Sequence, residues 1–363
     1  MAEPTRWKLY AQNEEAWLAM LTDCARARKT IVLEQFIFVK DDFGQKLINI
    51  CAERAKAGVR VRFLWDAAGS FTFFGSNIAD ELKGKGIDLL FWRTLIPGYF
   101  RTPNFRSWFL RNHRRTLVID DAVGYTGSIS VQDSMRNWRD TNVRLEGSVV
   151  LEMSNAFERM WARAKKVRKL PPRTFMRDPK FRYITNNPAP GQRHIYSSIV
   201  EALREAKRYA YITTPYFVPT GRLLRAIRAA AKRGVDVRII IPERSDHYPS
   251  LDLGARSFFT SLLEAGVRIF LYPNIDGAII HSKTIAIDDG WGTVGSLNLD
   301  HVSLLYNFEA NIISLEPKFA DELASHFISD LEKSKEILLA EWRSRFFIER
   351  IPEILIRLVR QFL

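Results

Sequence analysis

The chain of 363 residues is 47% hydrophobic and 26% charged, a globular composition long enough to build two domains. Its 54 Lys and Arg outnumber 41 Asp and Glu, and the net charge of +13 points to an anionic partner, either nucleic acid or an anionic membrane surface. The segment Met1–Trp7 has no signal-peptide apolar core, and no run reaches the ~18 consecutive apolar residues of a spanning helix, so any membrane contact is expected to be peripheral. Cys24 and Cys51 fall in predicted helices and are expected as buried free thiols, which fits a reducing compartment and, with a membrane partner, the cytoplasmic face.

In chain order, Ala16–Ala27 has helical periodicity and Thr30–Phe38 has strand character. Gly44–Ala57 reads as a helix closed by Gly58, followed by a strand over Val59–Trp65, a helix over Ser76–Lys85 and a strand over Gly86–Trp92. This alternation predicts an α/β layered domain. From Ile195 the order returns: a helix to Lys207, a strand over Tyr209–Phe217, a helix over Gly221–Lys232, and strands over Val235–Ile241 and Gly266–Tyr272. Equivalent positions stay about 168 to 180 residues apart, a duplication into two domains rather than a solenoid. The predicted division is 1–166, a basic connector at 167–190 with five prolines, a second domain at 191–340, and a C-terminal segment at 341–363.

Each copy carries a histidine motif. His281-Ser-Lys283 precedes Ile285, Ala286 and Ile287, in a run with strand character; Asp288–Gly292 reads as a turn, and Ser296 and Asn298 lie on the returning strand. Side chains two apart on a strand share a face, so His281 and Lys283, and again Ser296 and Asn298, are expected around one phosphate. The first copy is His113, Arg115, Asp120, Ser128 and Ser130; histidine to aspartate and aspartate to Gly127 or Gly295 are both seven residues in each copy. His194, His247, His301 and His326 stand outside this pattern and read as structural. Asp120 and Asp288 complete the motif, but their odd offset from the histidines predicts supports hydrogen-bonded beneath the site. Two such half-sites suit metal-free phosphodiester chemistry without a cofactor: one imidazole attacks phosphorus, the other protonates the leaving alcohol and then deprotonates the acceptor. Each imidazole needs a carboxylate behind it, and each copy offers one downstream, Asp140 after His113 and Glu309 after His281.

The pattern His281-x-Lys283-x4-Asp288-x6-Gly295-Ser296-x-Asn298 is the motif of the phospholipase D superfamily, and the chain resembles its bacterial cardiolipin synthase subgroup over roughly residues 10 to 330. Trp138–Gly147, Gly295–Asp300, Asn307–Glu309 and Thr214–Phe217 carry the closer similarity. The resemblance implies an α/β fold of two duplicated phospholipase D-like domains, each a mixed sheet flanked by helices, related by a pseudo-twofold with one shared site. It implies His113 as nucleophile and His281 as acid and base; the sequence alone is symmetric. The first copy departs from the pattern, with Arg115 in place of Lys and Ser130 in place of Asn.

Two further segments bear on the substrate. Tyr99, Phe100, Phe105, Trp108 and Phe109 interleave with Arg101, Arg106 and Arg111, a composition that suits base stacking, an interfacial segment giving access from a membrane, or an ordinary packed helix. Ile351, Ile354, Leu355, Leu358, Val359 and Phe362 recur at helical spacing with Arg357 and Arg360 opposite and Pro352 in the first turn, a helix that either packs back on the domains or rests on a membrane. Together they favour an anionic phospholipid surface, with phospholipids such as phosphatidylglycerol as substrates, over nucleic acid. Transfer between phospholipids is the leading expectation; hydrolysis of phospholipids and a nuclease of the same superfamily are the alternatives.

Overall fold

The computed structural model describes residues 4–93, 110–172 and 178–359. The first sheet is built from β1 (Arg6–Gln12), β2 (Thr30–Gln35), β3 (Arg60–Asp66), β4 (Ile87–Trp92), β5 (Thr116–Ile119), β6 (Val123–Gly127) and β7 (Arg139–Glu146). The second is built from β8 (Phe181–Asn186), β9 (Tyr209–Thr213), β10 (Asp236–Pro242), β11 (Arg268–Tyr272), β12 (Thr284–Ile287), β13 (Trp291–Gly295), β14 (Glu309–Ser314) and β15 (Lys335–Ile337). The orders β4-β3-β2-β5-β6-β7-β1 and β11-β10-β9-β12-β13-β14-β8 match strand for strand, with β15 added at the second sheet's edge. The duplication read from the sequence is therefore a duplication of topology, two mixed sheets flanked by helices.

Local chemistry repeats with the topology. Asp41 accepts from Gly44 N (3.1 Å) to cap the helix Asp42–Lys56, and Thr220 does the same for Leu223 N at the helix Gly221–Lys232. Gly58 and Gly234 follow these helices at φ of 90° and 91°, the left-handed turn that sends the chain into β3 and β10. β2 and β10 lie inside their sheets with helices covering them, which is why Thr-Ile-Val-Leu and Asp-Val-Arg-Ile-Ile-Ile are so apolar. Cys24 and Cys51 are buried and free, as expected.

Each sheet has its own core on one face, around Trp17, Phe38, Phe63 and Trp65 in the first and Phe217, Ile227, Phe259 and Leu262 in the second. A third core joins the halves: Val32, Leu64, Val118, Val143 and Leu145 from the first pack in one cluster with Ala286, Val294, Ala310 and Ile312 from the second. Helices Val149–Ala164 and Pro317–Glu332 contribute Met153, Phe157, Phe319 and Leu323 to it. That shared apolar layer fixes the two half-sites relative to one another.

Two expectations are corrected, and two helices are added. Part of the stretch read as a connector is β8, paired antiparallel to β14 from Phe181↔Ser314 to Asn186↔Glu309; its Pro-rich flanks and basic residues hid an edge strand. The C-terminal helix runs Phe347–Val359, so Pro352 lies inside it rather than in its first turn. The proline there forfeits only the bond to the carbonyl four residues earlier. The helix His301–Leu305 and the helix Ser250–Leu263 were not anticipated, the latter because its apolar residues do not separate cleanly from its polar ones.

Candidate active site

β5 runs antiparallel to β2 with Thr116 opposite Glu34, and β12 runs antiparallel to β9 with Thr284 opposite Thr213. His113 and His281 stand just ahead of these strands, at the carboxyl ends of the parallel strands. The stretch read as one strand with the hairpin is instead extended backbone that crosses to the other half. His113 N donates to Phe308 O (2.9 Å) and Phe308 N to Arg111 O (2.9 Å); His281 N donates to Arg139 O (2.8 Å) and Arg139 N to Ile279 O (3.0 Å). Equivalent residues make equivalent bonds in opposite directions, the signature of a pseudo-twofold through the site.

The crossing exchanges the carboxylates. His113 Nδ1 lies 2.9 Å from Glu309 Oε1, and His281 Nδ1 lies 3.0 Å from Asp140 Oδ2. The expectation that each copy supplies its own carboxylate is overturned: spacing along the chain does not register that His113 pairs beside β14 and His281 beside β7. The roles given to Ser128 and Ser296 also change. Ser296 Oγ donates to Glu309 Oε2 (2.5 Å), and Ser128 Oγ donates to Asp140, so both serines fix carboxylates rather than meeting a phosphate. Glu309 gains a further donor from Ser303 Oγ (2.6 Å), whose own oxygen accepts from Asn298 N (2.9 Å). No sequence signal marked Ser303. Gly127 and Gly295 are required here, because a Cβ on either would collide with the amide of Asn142 or Asn311. Those amides accept from Ile129 N (3.1 Å) and Leu297 N (3.2 Å) and so shape the turns after β6 and β13.

Each cation lies beside the Nε2 of its own histidine. Lys283 Nζ lies 3.0 Å from His281 Nε2 and 2.9 Å from His281 O. An Arg115 terminal nitrogen lies 3.0 Å from His113 Nε2, while its Nε donates to Ser130 Oγ (3.1 Å). Asn298 Oδ1 is buried with no hydrogen-bond partner among the described residues. Phe36 packs edge-on to His113 and Trp138 edge-on to His281, with ring centroids 4.8 and 5.4 Å apart. Tyr216 packs 6.1 Å from His281 and donates its hydroxyl to Asp246 (2.6 Å).

Burial and the neighbouring guanidinium of Arg115 bring the His113 pKa down to about 4; burial and the Lys283 ammonium do the same for His281. At neutral pH each ring is therefore uncharged, with a proton on Nδ1 facing a carboxylate and a lone pair on Nε2 facing a cation. Burial, then Arg115, lowers Lys283 to about 7. Burial works to raise Asp140, but His281 and Lys283 outweigh it and hold the carboxyl below its usual value. Asp300, which caps the helix His301–Leu305 through Ser303 N (2.7 Å), is pushed up to about 7 by burial.

Asp120 and Asp288 lie at the other ends of β5 and β12, far from the imidazoles along the strands. Asp120 accepts from the backbone N of Arg28, Lys29 and Thr30, and Asp288 from those of Lys207, Arg208 and Tyr209. In the fold they act as supports: they tie each hairpin to the loop before β2 or β9. Arg111 is also corrected. It is buried, with Nε 2.9 Å and a terminal nitrogen 2.6 Å from Asp66 Oδ1, and faces no membrane. Asp66 also accepts from Asn112 N (2.8 Å), and Asn112 Nδ2 donates to Glu34 (2.7 Å), so this network positions the chain entering His113. Tyr99, Phe100, Arg101, Phe105, Arg106, Trp108 and Phe109 lie outside the described residues.

The family model described as "Cardiolipin synthase, PLD-like domain" matches residues 20–161 and 199–331, once for each half. The chain belongs to this phospholipase D-like family. A cardiolipin synthase of Clostridium perfringens is 31% identical over 97% of the chain and 75% of the relative's length. Cardiolipin synthase A of Proteus mirabilis is 32% identical over 95% of the chain and 73% of its length. The crystal structure of phosphatidylserine synthase from Haemophilus influenzae shares the fold, with a TM-score of 0.75 over 98% of the chain and 92% of that one, at 14% identity. The family membership makes the protein a phospholipase D-type enzyme of phospholipid biosynthesis. Among the described residues no helix is long and apolar enough to cross a membrane.

Proposed function

We propose that the protein transfers a phosphatidyl group from one phospholipid to a hydroxyl of a second, such as phosphatidylglycerol, through a covalent phosphohistidine and without metal. The observation that carries this reading is the pair of uncharged imidazoles, each backed by the other half's carboxylate and each with a cation at Nε2. His113 Nε2 attacks phosphorus as the bond to the leaving alcohol breaks, and that oxygen takes a proton from His281. In the second step His281 Nε2 removes the proton of the acceptor hydroxyl, its oxygen attacks phosphorus, and the phosphorus–nitrogen bond breaks. His281 must carry a proton in the first step. A phosphate anion favours this by drawing Lys283 from the ring and adding negative charge beside it, while Asp140 already favours the imidazolium. Lys283, Arg115 and Asn298 are left to hold the charged oxygens.

The site works at a membrane surface on the cytoplasmic face in this reading. The helix Phe347–Val359 leaves Ile348, Ile354, Leu355 and Leu358 half or more exposed, and the chain's charge of +13 suits anionic lipid. Purified protein incubated with phosphatidylglycerol vesicles and a chelator tests the proposal. Cardiolipin and free glycerol are the expected products; phosphatidic acid alone would assign hydrolysis, and cleavage only of nucleic acid would remove lipid as the substrate class.

A further inference from the structure

Tyr216 takes in the second half the place that Phe36 takes in the first. Each ring packs edge-on to the histidine of its half, and the centroid of each lies 6.0 Å from that half's cation, Lys283 or Arg115. The two rings differ by one hydroxyl. Phe36 gives the His113 side an apolar wall, whereas Tyr216 is 7% exposed and donates its hydroxyl to Asp246 Oδ1 (2.6 Å). Burial, then the Asp246 carboxylate, pushes the Tyr216 pKa up, so the phenol keeps its proton and stays a donor.

The carboxylate is held in place with one oxygen to spare. Ser245 donates to both oxygens of Asp252, from N to Oδ1 (2.9 Å) and from Oγ to Oδ2 (2.5 Å), which ties the loop after β10 to the helix Ser250–Leu263. Thr214 Oγ1 donates to Tyr216 O (2.9 Å) and Val218 N to Leu299 O (3.0 Å), so Tyr216 is fixed beside the turn that carries Asn298. Asp246 Oδ2 accepts no hydrogen bond among the described residues, and His247 Nε2 stands 3.9 Å away. The Asp246 side chain is 29% exposed, so a ligand can reach it. Its charge also acts on Lys283 and Arg115, favouring the protonated form of each. The His281 side thus offers two acceptors, this carboxylate oxygen and the Tyr216 oxygen, where the His113 side offers a hydrocarbon ring. Acceptors call for a ligand that donates, and an ammonium would meet the repulsion of Lys283 and Arg115. A neutral hydroxyl donates without that repulsion.

We propose that Tyr216 and Asp246 bind the second hydroxyl of a diol acceptor, and so select a glycerol headgroup over a simple alcohol. This rests on the transfer reading above, in which His281 serves the alcohol side and His113 carries the phosphatidyl group. The reacting hydroxyl gives its proton to His281 Nε2 as its oxygen bonds to phosphorus and the bond to His113 breaks. The neighbouring hydroxyl is not consumed; it donates to Asp246 Oδ2 and orients the first.

Competition between two acceptors tests this. The whole chain is given phosphatidylglycerol vesicles with deuterated glycerol and 1-propanol at equal concentration, and the two new phospholipids are measured by mass spectrometry. Their ratio compares acceptors within one reaction, so a slower or partly unfolded enzyme does not change it. We expect the wild-type chain to prefer glycerol, and the ratio to fall by about tenfold in Asp246→Asn and in Tyr216→Phe. Asp246→Asn removes the charged acceptor and Tyr216→Phe copies Phe36, so either variant decides the matter if the other does not fold. Equal use of the two alcohols by the wild-type chain, or a ratio unchanged in the folded variants, overturns the proposal and leaves the transfer reading standing. Phosphatidic acid alone, or no lipid product, would remove both.

Discussion

The two half-sites share a backbone but solve the same problem with different side chains. In the second, Lys283 presents one ammonium to His281, and Asn298 has a buried carbonyl oxygen with no partner among the described residues. In the first, Arg115 reaches His113 with its fork and uses its Nε on Ser130, whose short side chain leaves room for the larger cation. The exchange of Lys and Asn for Arg and Ser is thus a matched pair, in which a smaller neighbour accommodates a longer cation. The electrostatic consequence is unequal. Arg115 remains charged at any working pH, whereas Lys283, buried beside it, is brought to about 7. One half holds a permanent charge, the other a titratable one.

The histidines give the strongest test of that inequality. His113→Ala and His281→Ala are each expected to lower transfer by about 10³-fold or more, since each removes a reacting group. They differ in what accumulates. With His113 as nucleophile, His281→Ala retains a phosphoenzyme detectable by intact mass and His113→Ala shows none; an adduct in His113→Ala alone would reverse the roles of the halves.

The crossed carboxylates come next. Glu309→Gln and Asp140→Asn should each cost about 10²-fold in turnover by releasing an imidazole from its oriented tautomer. A double-mutant cycle should show strong non-additivity for His113 with Glu309 and for His281 with Asp140. Coupling of His113 to Asp140 instead would break the exchange described above.

That exchange marks the limit of what the chain disclosed. The order of strands and helices was legible because Gly58 and Gly234, or Asp120 and Asp288, recur with the same local chemistry, and local chemistry is what periodicity and spacing record. The two imidazoles and two cations were legible for the same reason. Their carboxylates were recognised as residues but assigned to the wrong partners, because His113 meets β14 and His281 meets β7 only once the halves have packed through Val143, Val294 and Ala310. Ser128 and Ser296 looked like phosphate donors for want of that same information. β8 was lost among prolines, and Ser303 carried no pattern at all.

A subtler test addresses the matched pair. Arg115→Lys alone should lower kcat/KM by about tenfold, leaving Ser130 short of a donor and a gap beside the ring. Arg115→Lys with Ser130→Asn copies the second half and should recover most of that loss. If the double variant is no better than the single, the two positions are not compensating.

The pH profile reads the charges directly. Lys283 is protonated below about 7, so kcat/KM in the free enzyme should fall as pH rises through that value and the ammonium is lost. The Arg115 charge is one cause of the lowered value, so Arg115→Gln should move this alkaline limb upward even as it reduces the maximum rate. A limb that stays in place would mean that burial alone sets it.

The smallest effect on chemistry is expected at the motif's aspartates. Asp120→Ala and Asp288→Ala each remove an acceptor from three backbone N–H groups at the end of a hairpin remote from the imidazoles. Both residues also hold left-handed backbone, at φ of 56° and 49°, which aspartate tolerates better than alanine. Each substitution should lower stability by about 1–3 kcal/mol in urea unfolding, while turnover per folded molecule changes less than about threefold. Because the two aspartates make the same three bonds, the two losses should also be alike, in contrast to the unequal cations at the other end of the same strands. A large loss of turnover in folded Asp120→Ala or Asp288→Ala would place these carboxylates back in the reaction and overturn their reading as supports.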